Sequence, residues 1–152
     1  MKRSDELAPL SRDHHHGLFA ALTLRRATGA DAAAARAVFL TFWNSEGAHH
    51  FRVEEEVLLP AFARRGPADH EAVVRVLVEH VDLRRRAQAL AEDDAPPTTA
   101  LHELGERLKA HIRHEEDVLF PLIERTLPGE ELRALGAAIA HAEQHHPPSS
   151  PQ

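Results

Sequence analysis

Apolar residues recur every three or four positions along five stretches of the chain, and helix-stopping residues separate those stretches. Leu10, His14, Leu18, Ala21 and Leu22 share one stripe of a first helix, which opens at Pro9 or Ser11, runs to Thr28 and stops at Gly29. The polar residues 1–8 ahead of it are expected to fray. Asp31 is a good cap for a long second helix, Ala32 to about Arg65, ended by Gly66 and Pro67. Gly47 and Pro60 predict a bend near each, and Phe39, Trp43, His50, Glu54 and Val57 make its inward stripe. Trp43 reads as core packing.

A third helix, capped by Asp69, continues to about Glu92 on Val73, Val76, Leu77, His80, Leu83, Ala87 and Leu90. The run from Asp93 to Pro97 breaks it. The fourth, capped by Thr98 or Thr99, spans Ala100 to about Leu127, with Leu101, Leu104, Leu108, His111, Glu115, Val118 and Leu122 inward. A short fifth helix from Glu130 to about His141 carries Leu132, Leu135 and Ile139 across one end. From Gln144 onward, Pro and Ser predict a disordered tail. The fold expected is all-α: an up-down-up-down four-helix bundle with a short C-terminal fifth helix.

Each of the four long helices thus turns one histidine inward: His14, His50, His80 and His111. Two of these open a repeated segment. His50-Phe-Arg-Val-Glu54-Glu-Glu-Val-Leu-Leu-Pro60 and His111-Ile-Arg-His-Glu115-Glu-Asp-Val-Leu-Phe-Pro121 align without a gap, and seven of the 11 positions are identical. In each copy the imidazole and the carboxylate lie one turn apart, separated by about 40° around the helix, so both point the same way. Burying two carboxylates together is costly unless positive charge compensates them. Arg52 and Arg113 fall on the outer faces of their helices, whereas a pair of metal ions satisfies both glutamates and all four imidazoles at once. One copy of His-x-x-x-Glu is weak evidence; two copies with the same flanks, plus a histidine on each remaining helix, point to metal. A ferritin-like site needs Glu-x-x-His on two helices, and the second instance here, Glu143-x-x-His146, falls in the tail.

Composition narrows the metal. The 152 residues include 13 His and no Cys, which excludes disulfides, thiolate ligands and iron–sulfur clusters. Mixed imidazole and carboxylate donors suit iron, manganese or zinc, and bridging carboxylates favour a dinuclear site. The net charge of −6 argues against sequence-independent nucleic-acid binding, and Arg84, Arg85 and Arg86 read as a solvated helix face. No apolar run approaches the ~18 residues of a membrane span. The N-terminus lacks the apolar core of a signal peptide, so a cytoplasmic monomer is expected.

These residues resemble a hemerythrin-like (HHE cation-binding) domain. The resemblance rests on Arg12-Asp13-His14-His15-His16, the two repeated segments and Glu79-His80, and runs from about Pro9 to His141. It implies a domain over residues 1–143, followed by the tail at 144–152. It also implies an oxo- or hydroxo-bridged di-iron centre with His14, His50, Glu54, His80, His111 and Glu115 as ligands, the two glutamates bridging. The chain departs from oxygen-carrying hemerythrins in two places. Arg84 stands where they have a second histidine on the third helix, and His111-x-x-x-Glu115 replaces their His-x-x-x-x-Asp. The four-His, two-Glu pattern is similar to bacterial di-iron proteins linked to nitrosative stress and iron–sulfur repair. Those proteins often carry a Cys-bearing N-terminal segment, and this sequence has no Cys.

Two octahedral irons offer about twelve positions. Four imidazoles, two bridging carboxylates and a bridging oxygen leave about two open, unless His15, His49 or His114 adds a donor. His114, about 60° from His111 around the helix, is the strongest spare. Two vacancies suit reduction of peroxide, O2 or NO at both irons, with an electron donor that neither Tyr nor Cys within the chain can relay. The alternative is sensing or storage of O2, NO or iron without turnover, and a third reading is a metal-free interaction bundle.

Overall fold

The structure, a computed structural model, describes residues 2–145. Five helices and no strand occur among them. Helix α1 is Ala8–Arg25, α2 spans residues 32–62, α3 is Glu71–Glu92, α4 spans residues 98–126 and α5 is Gly129–Gln144. α1 ends three residues before the expected Thr28, because the Thr28 N–H turns forward to the Asp31 carboxylate at 2.6 Å instead of back into the helix. His70, not Asp69, caps α3: its Nδ1 accepts the Ala72 N–H. α5 extends to Gln144 and is longer than expected; the tail from residue 146 lies outside the described residues.

The core has two apolar clusters with a polar layer between them. One contains Leu10, Leu58, Val76, Leu119 and Ile123; the other contains Leu24, Phe39, Leu83, Leu104 and Leu108. α1 and α3 run from the first cluster to the second, α2 and α4 run back, and His14, His50, His80 and His111 fall at the crossing level of all four. That is the up-down-up-down bundle expected. α5 closes the end of the first cluster with Leu135 and Ile139. The N-terminal segment does not fray: Leu7 is fully buried in that cluster, and Arg3 is held by Glu116 and Glu124 of α4.

Three five-residue turns in α2 and α4 are wider than α, with each closing N–H bonding five residues back: Trp43–Gly47, Glu54–Leu58 and Glu115–Leu119. The last two occupy the same place in the two repeated segments, just ahead of Pro60 and Pro121. A proline ring collides with the carbonyl four residues earlier in a regular helix and donates no hydrogen bond. A wide turn before it removes both conflicts and adds one residue to the register. As a result Leu58 and Leu119 point into the core, while Val57 is only half-buried and Val118 is exposed, contrary to the α-periodic stripes. Wide turns stand at Gly47 and just ahead of Pro60, the two places where bends were expected.

α1 and α4 approach closely through small residues. Gly17 faces Ile112 and Ala21 faces Gly105 of α4, which turns Leu18 outward from its expected inward place. A Cβ on Gly105 would lie 2.7 Å from the Ala21 carbonyl oxygen and 3.0 Å from Leu24 Cβ. Trp43 packs on Phe39 and edge-on against Phe51, as core packing predicts.

Gly105→Ala is therefore expected to lower stability by about 1–3 kcal/mol through forced separation of α1 and α4. Gly29→Ala, with nothing within 4 Å of its Cβ, is expected to change it by less than about 1 kcal/mol. Urea unfolding of the two variants checks the contrast; equal midpoints would contradict the close approach.

Candidate metal centre

Glu54 and Glu115 have no exposed surface, and His14, His50, His80 and His111 are each at most 5% exposed. The wide turns start at the two glutamates, so each repeat delivers its carboxylate at the point where the helix opens. The donor atoms form two overlapping groups. His14, His50, Glu54 and Glu115 lie within 4.8 Å of one another, as do His80, His111, Glu54 and Glu115. Both glutamates belong to both groups. The histidine pairs match in geometry: His14 to His50 and His80 to His111 are each 4.9 Å between ring centroids, at 61° and 63°. All six residues singled out in the sequence are thus brought to one place.

Four further carboxylates orient the imidazoles. Nδ1–H of His14 donates to Glu116 at 2.9 Å, His50 to Asp13 at 2.9 Å, His80 to Glu55 at 2.6 Å and His111 to Glu79 at 2.8 Å. Sequence reasoning missed these roles, although a signal was present: Asp13 and Glu79 directly precede His14 and His80, and Glu55 and Glu116 directly follow Glu54 and Glu115. Each bond crosses between helices. α1 holds α2, α2 holds α3, α3 holds α4, and α4 holds α1, so the carboxylates close a ring around the bundle.

Most of those carboxylates carry their own counter-ion. Arg3 and Ser11 bind Glu116, Arg75 binds Glu79, and Arg84 reaches both oxygens of Glu55 at 3.1 Å while lying over the Phe51 ring. Arg84 stands on α3 one turn beyond His80, where a further histidine would offer another donor; here it supports the carboxylate that orients His80. Arg85 and Arg86 pair with Asp82. Asp13 instead meets Glu143 of α5, whose pKa burial and the Asp13 carboxylate push up to about 8.

With Nδ1–H donated outward, a neutral imidazole presents only a lone pair at Nε2. The four Nε2 atoms lie 2.7–3.6 Å from the carboxylate oxygens of Glu54 and Glu115. None of the four nitrogens and none of the four oxygens has a hydrogen-bond partner. Eight buried acceptors converging on one volume fit a pair of cations, and oriented imidazoles with carboxylate support are the usual setting of metal-bound histidine. Without a cation, protons compensate. Burial and the neighbouring Glu115 push Glu54 up to about 8. Burial opposes a charge on His111, but Glu115 and Glu79 outweigh it and raise His111 to about 10. Glu115 is likewise opposed by burial, yet His111 holds it well below the usual carboxylate range.

None of the three spare histidines joins either group. His15 is exposed, His49 Nε2 meets the Ala142 carbonyl at 2.9 Å, and buried His114 meets the Ala72 carbonyl at 3.1 Å. His114, the strongest spare by helical angle, is drawn to the first turn of α3 instead. Phe51 stacks on His80 with ring centroids 3.9 Å apart and closes that side. On the other side a narrow pocket reaches His14 and His50 between Gly17, Phe42, Gly47, Phe51, Leu108 and Ile112. Side chains at the glycines would fill it: a Cβ on Gly17 would lie 2.9 Å from Ile112 Cδ1, and one on Gly47 would lie 3.0 Å from Phe42 and Trp43.

The half-buried Glu79 can be truncated without opening the core. Glu79→Ala is expected to weaken metal binding by about 10–100-fold while the protein stays helical, because His111 loses its orientation. Metal titration followed by circular dichroism checks this; unchanged affinity would remove Glu79 from the centre.

Comparison with known families supports the same conclusion. The Hemerythrin HHE cation binding domain matches residues 8–123, a span that contains all six central residues and their four supporting carboxylates. Curated proteins and solved structures gave no match. With a bundle of the expected topology, two buried His/Glu groups and a family match over most of its length, the chain belongs to the hemerythrin HHE cation-binding domain family.

Proposed function

We propose that the centre holds two iron ions, one with His14 and His50 and one with His80 and His111, sharing Glu54 and Glu115. We further propose that it reduces peroxide, O2 or NO with electrons from an external donor. The observation that carries this reading is the sharing of two buried carboxylates by two imidazole pairs, with eight acceptor atoms otherwise unpaired. Bridging carboxylates with imidazoles and no thiolate suit iron among redox metals.

Four imidazoles and two shared carboxylates fill about eight of about twelve positions on two octahedral ions. His15, His49 and His114 are engaged or directed elsewhere, and Arg84 takes the place of a further donor on α3, which supports leaving both ions able to meet substrate. A reduced iron pair supplies two electrons, which with two protons take hydrogen peroxide to two waters, or two NO to N2O and water. The protein supplies the enclosure. Four oriented imidazoles keep the donor set rigid, the apolar clusters above and below exclude bulk water, and the Gly17/Gly47 pocket admits molecules about the size of water. Such a narrow pocket favours the smallest substrates, such as O2, NO and peroxide, over organic ones.

Iron-loaded protein, reduced anaerobically and mixed in turn with O2, hydrogen peroxide and NO, tests the proposal. Rapid irreversible oxidation of the iron is expected, with peroxide or NO consumed beyond one equivalent when a chemical reductant is present. A long-lived oxygen adduct that reverses under vacuum would assign the centre to carriage instead. Gly17→Val is expected to keep the metal but slow oxidation at least about tenfold, an added barrier of about 1.4 kcal/mol. An unchanged rate would place substrate entry elsewhere.

A further inference from the structure

α3 carries more apolar surface than one core can use. Val73, Val76, His80, Leu83, Ala87 and Leu90 face inward, while Val74, Leu77, Val78 and Val81 are 44%, 41%, 62% and 71% exposed, Leu77 at the edge of the inward face instead of within it as expected. These four account for more than half of the exposed large apolar residues of the described chain. They are not scattered. Glu71, Val74, Val78, Val81 and Arg85 follow spacings of three, four, three and four, which keeps them on a single seam of the kind that packs helix against helix. Leu77, Arg75 and Asp82 flank that seam.

The charges on the seam identify its occupant. An acid, Glu71, stands at one end and a base, Arg85, at the other, with three valines between them. Both end residues are exposed. If a second copy of α3 lies antiparallel across the seam on a two-fold axis at Val78, Glu71 faces Arg85 of the second copy at both ends. Val74 then lies within one residue's rise, about 1.5 Å, of Val81 of the second copy, and the flanking Arg75 lies within the same rise of Asp82 of the second copy. Every charged pair is of opposite sign and every layer between is apolar. A parallel arrangement would set Glu71 against Glu71 and Arg85 against Arg85. The pattern is therefore self-complementary in one orientation only, as a two-fold isologous interface requires.

In place of the monomer expected from the sequence, we propose that this chain forms an antiparallel homodimer through the outer face of α3. The interface is small, about four helical turns from each copy, and belongs with weak, concentration-dependent contacts. It lies on the face of α3 turned away from His80, so two copies pair without covering the Gly17/Gly47 pocket, which opens between α1, α2 and α4.

Sedimentation velocity on the full chain over a concentration series tests the proposal. The mass is expected to rise from 16.9 kDa toward twice that value. Val78→Glu places two carboxylates face to face on the axis and is expected to raise the dissociation constant at least about tenfold, with unchanged helicity. Glu71→Arg and Arg85→Glu each weaken association, and the double variant restores it. A chain that stays monomeric at every concentration would overturn the proposal. So would a dimer indifferent to Val78→Glu, or a double variant no better than either single one.

Discussion

Two glutamates with no solvent exposure, set among four imidazoles, are the constraint on which the rest of this bundle depends. Leaving even one unpaired charge in such a place costs several kcal/mol, comparable to the whole stability of a domain this size. The surrounding features reduce that cost. Four outer carboxylates fix the imidazole protons outward, so that Nε2 lone pairs face the centre. Arg3, Arg75 and Arg84 compensate three of those carboxylates at the surface. The wide turns at Glu54 and Glu115 deliver the inner carboxylates where the helix backbone has already opened ahead of a proline.

The same residues explain why four helices assemble in this order. The contacts between imidazoles and outer carboxylates run from each helix to the next and close on the first. The two halves of the chain do the same work twice: Asp13-His14 and Glu79-His80 start one role, and the repeated segments in α2 and α4 complete it. Each half brings two imidazoles and one inner carboxylate, and each shares its carboxylate with the other. A metal-binding layer of this design is held by both halves or by neither, and the apolar clusters on its two sides seal it from water.

The helices, their up-and-down order and the six inward residues were legible in the sequence, because a histidine or glutamate on an apolar stripe is conspicuous. The less legible features depend on distance or on local backbone. Glu55 and Glu116 gain their roles only because α3 and α1 come within hydrogen-bonding reach. Val57 and Val118 were misplaced because a wide turn shifts the α period by one residue, a change that the following proline hinted at. Leu18 was placed inward and Gly17 ignored, since close helix approach favours the smallest side chain rather than the most apolar. His114 satisfied the helical angle for a ligand, but the Ala72 carbonyl lay nearer.

Metal content per chain, measured on protein purified without added metal and shown to be folded by circular dichroism, tests the central claim most directly. Two ions per chain, with iron predominant, is the result predicted by two imidazole pairs sharing two carboxylates. A fully helical, cooperatively folded protein carrying fewer than about one ion per chain would contradict it.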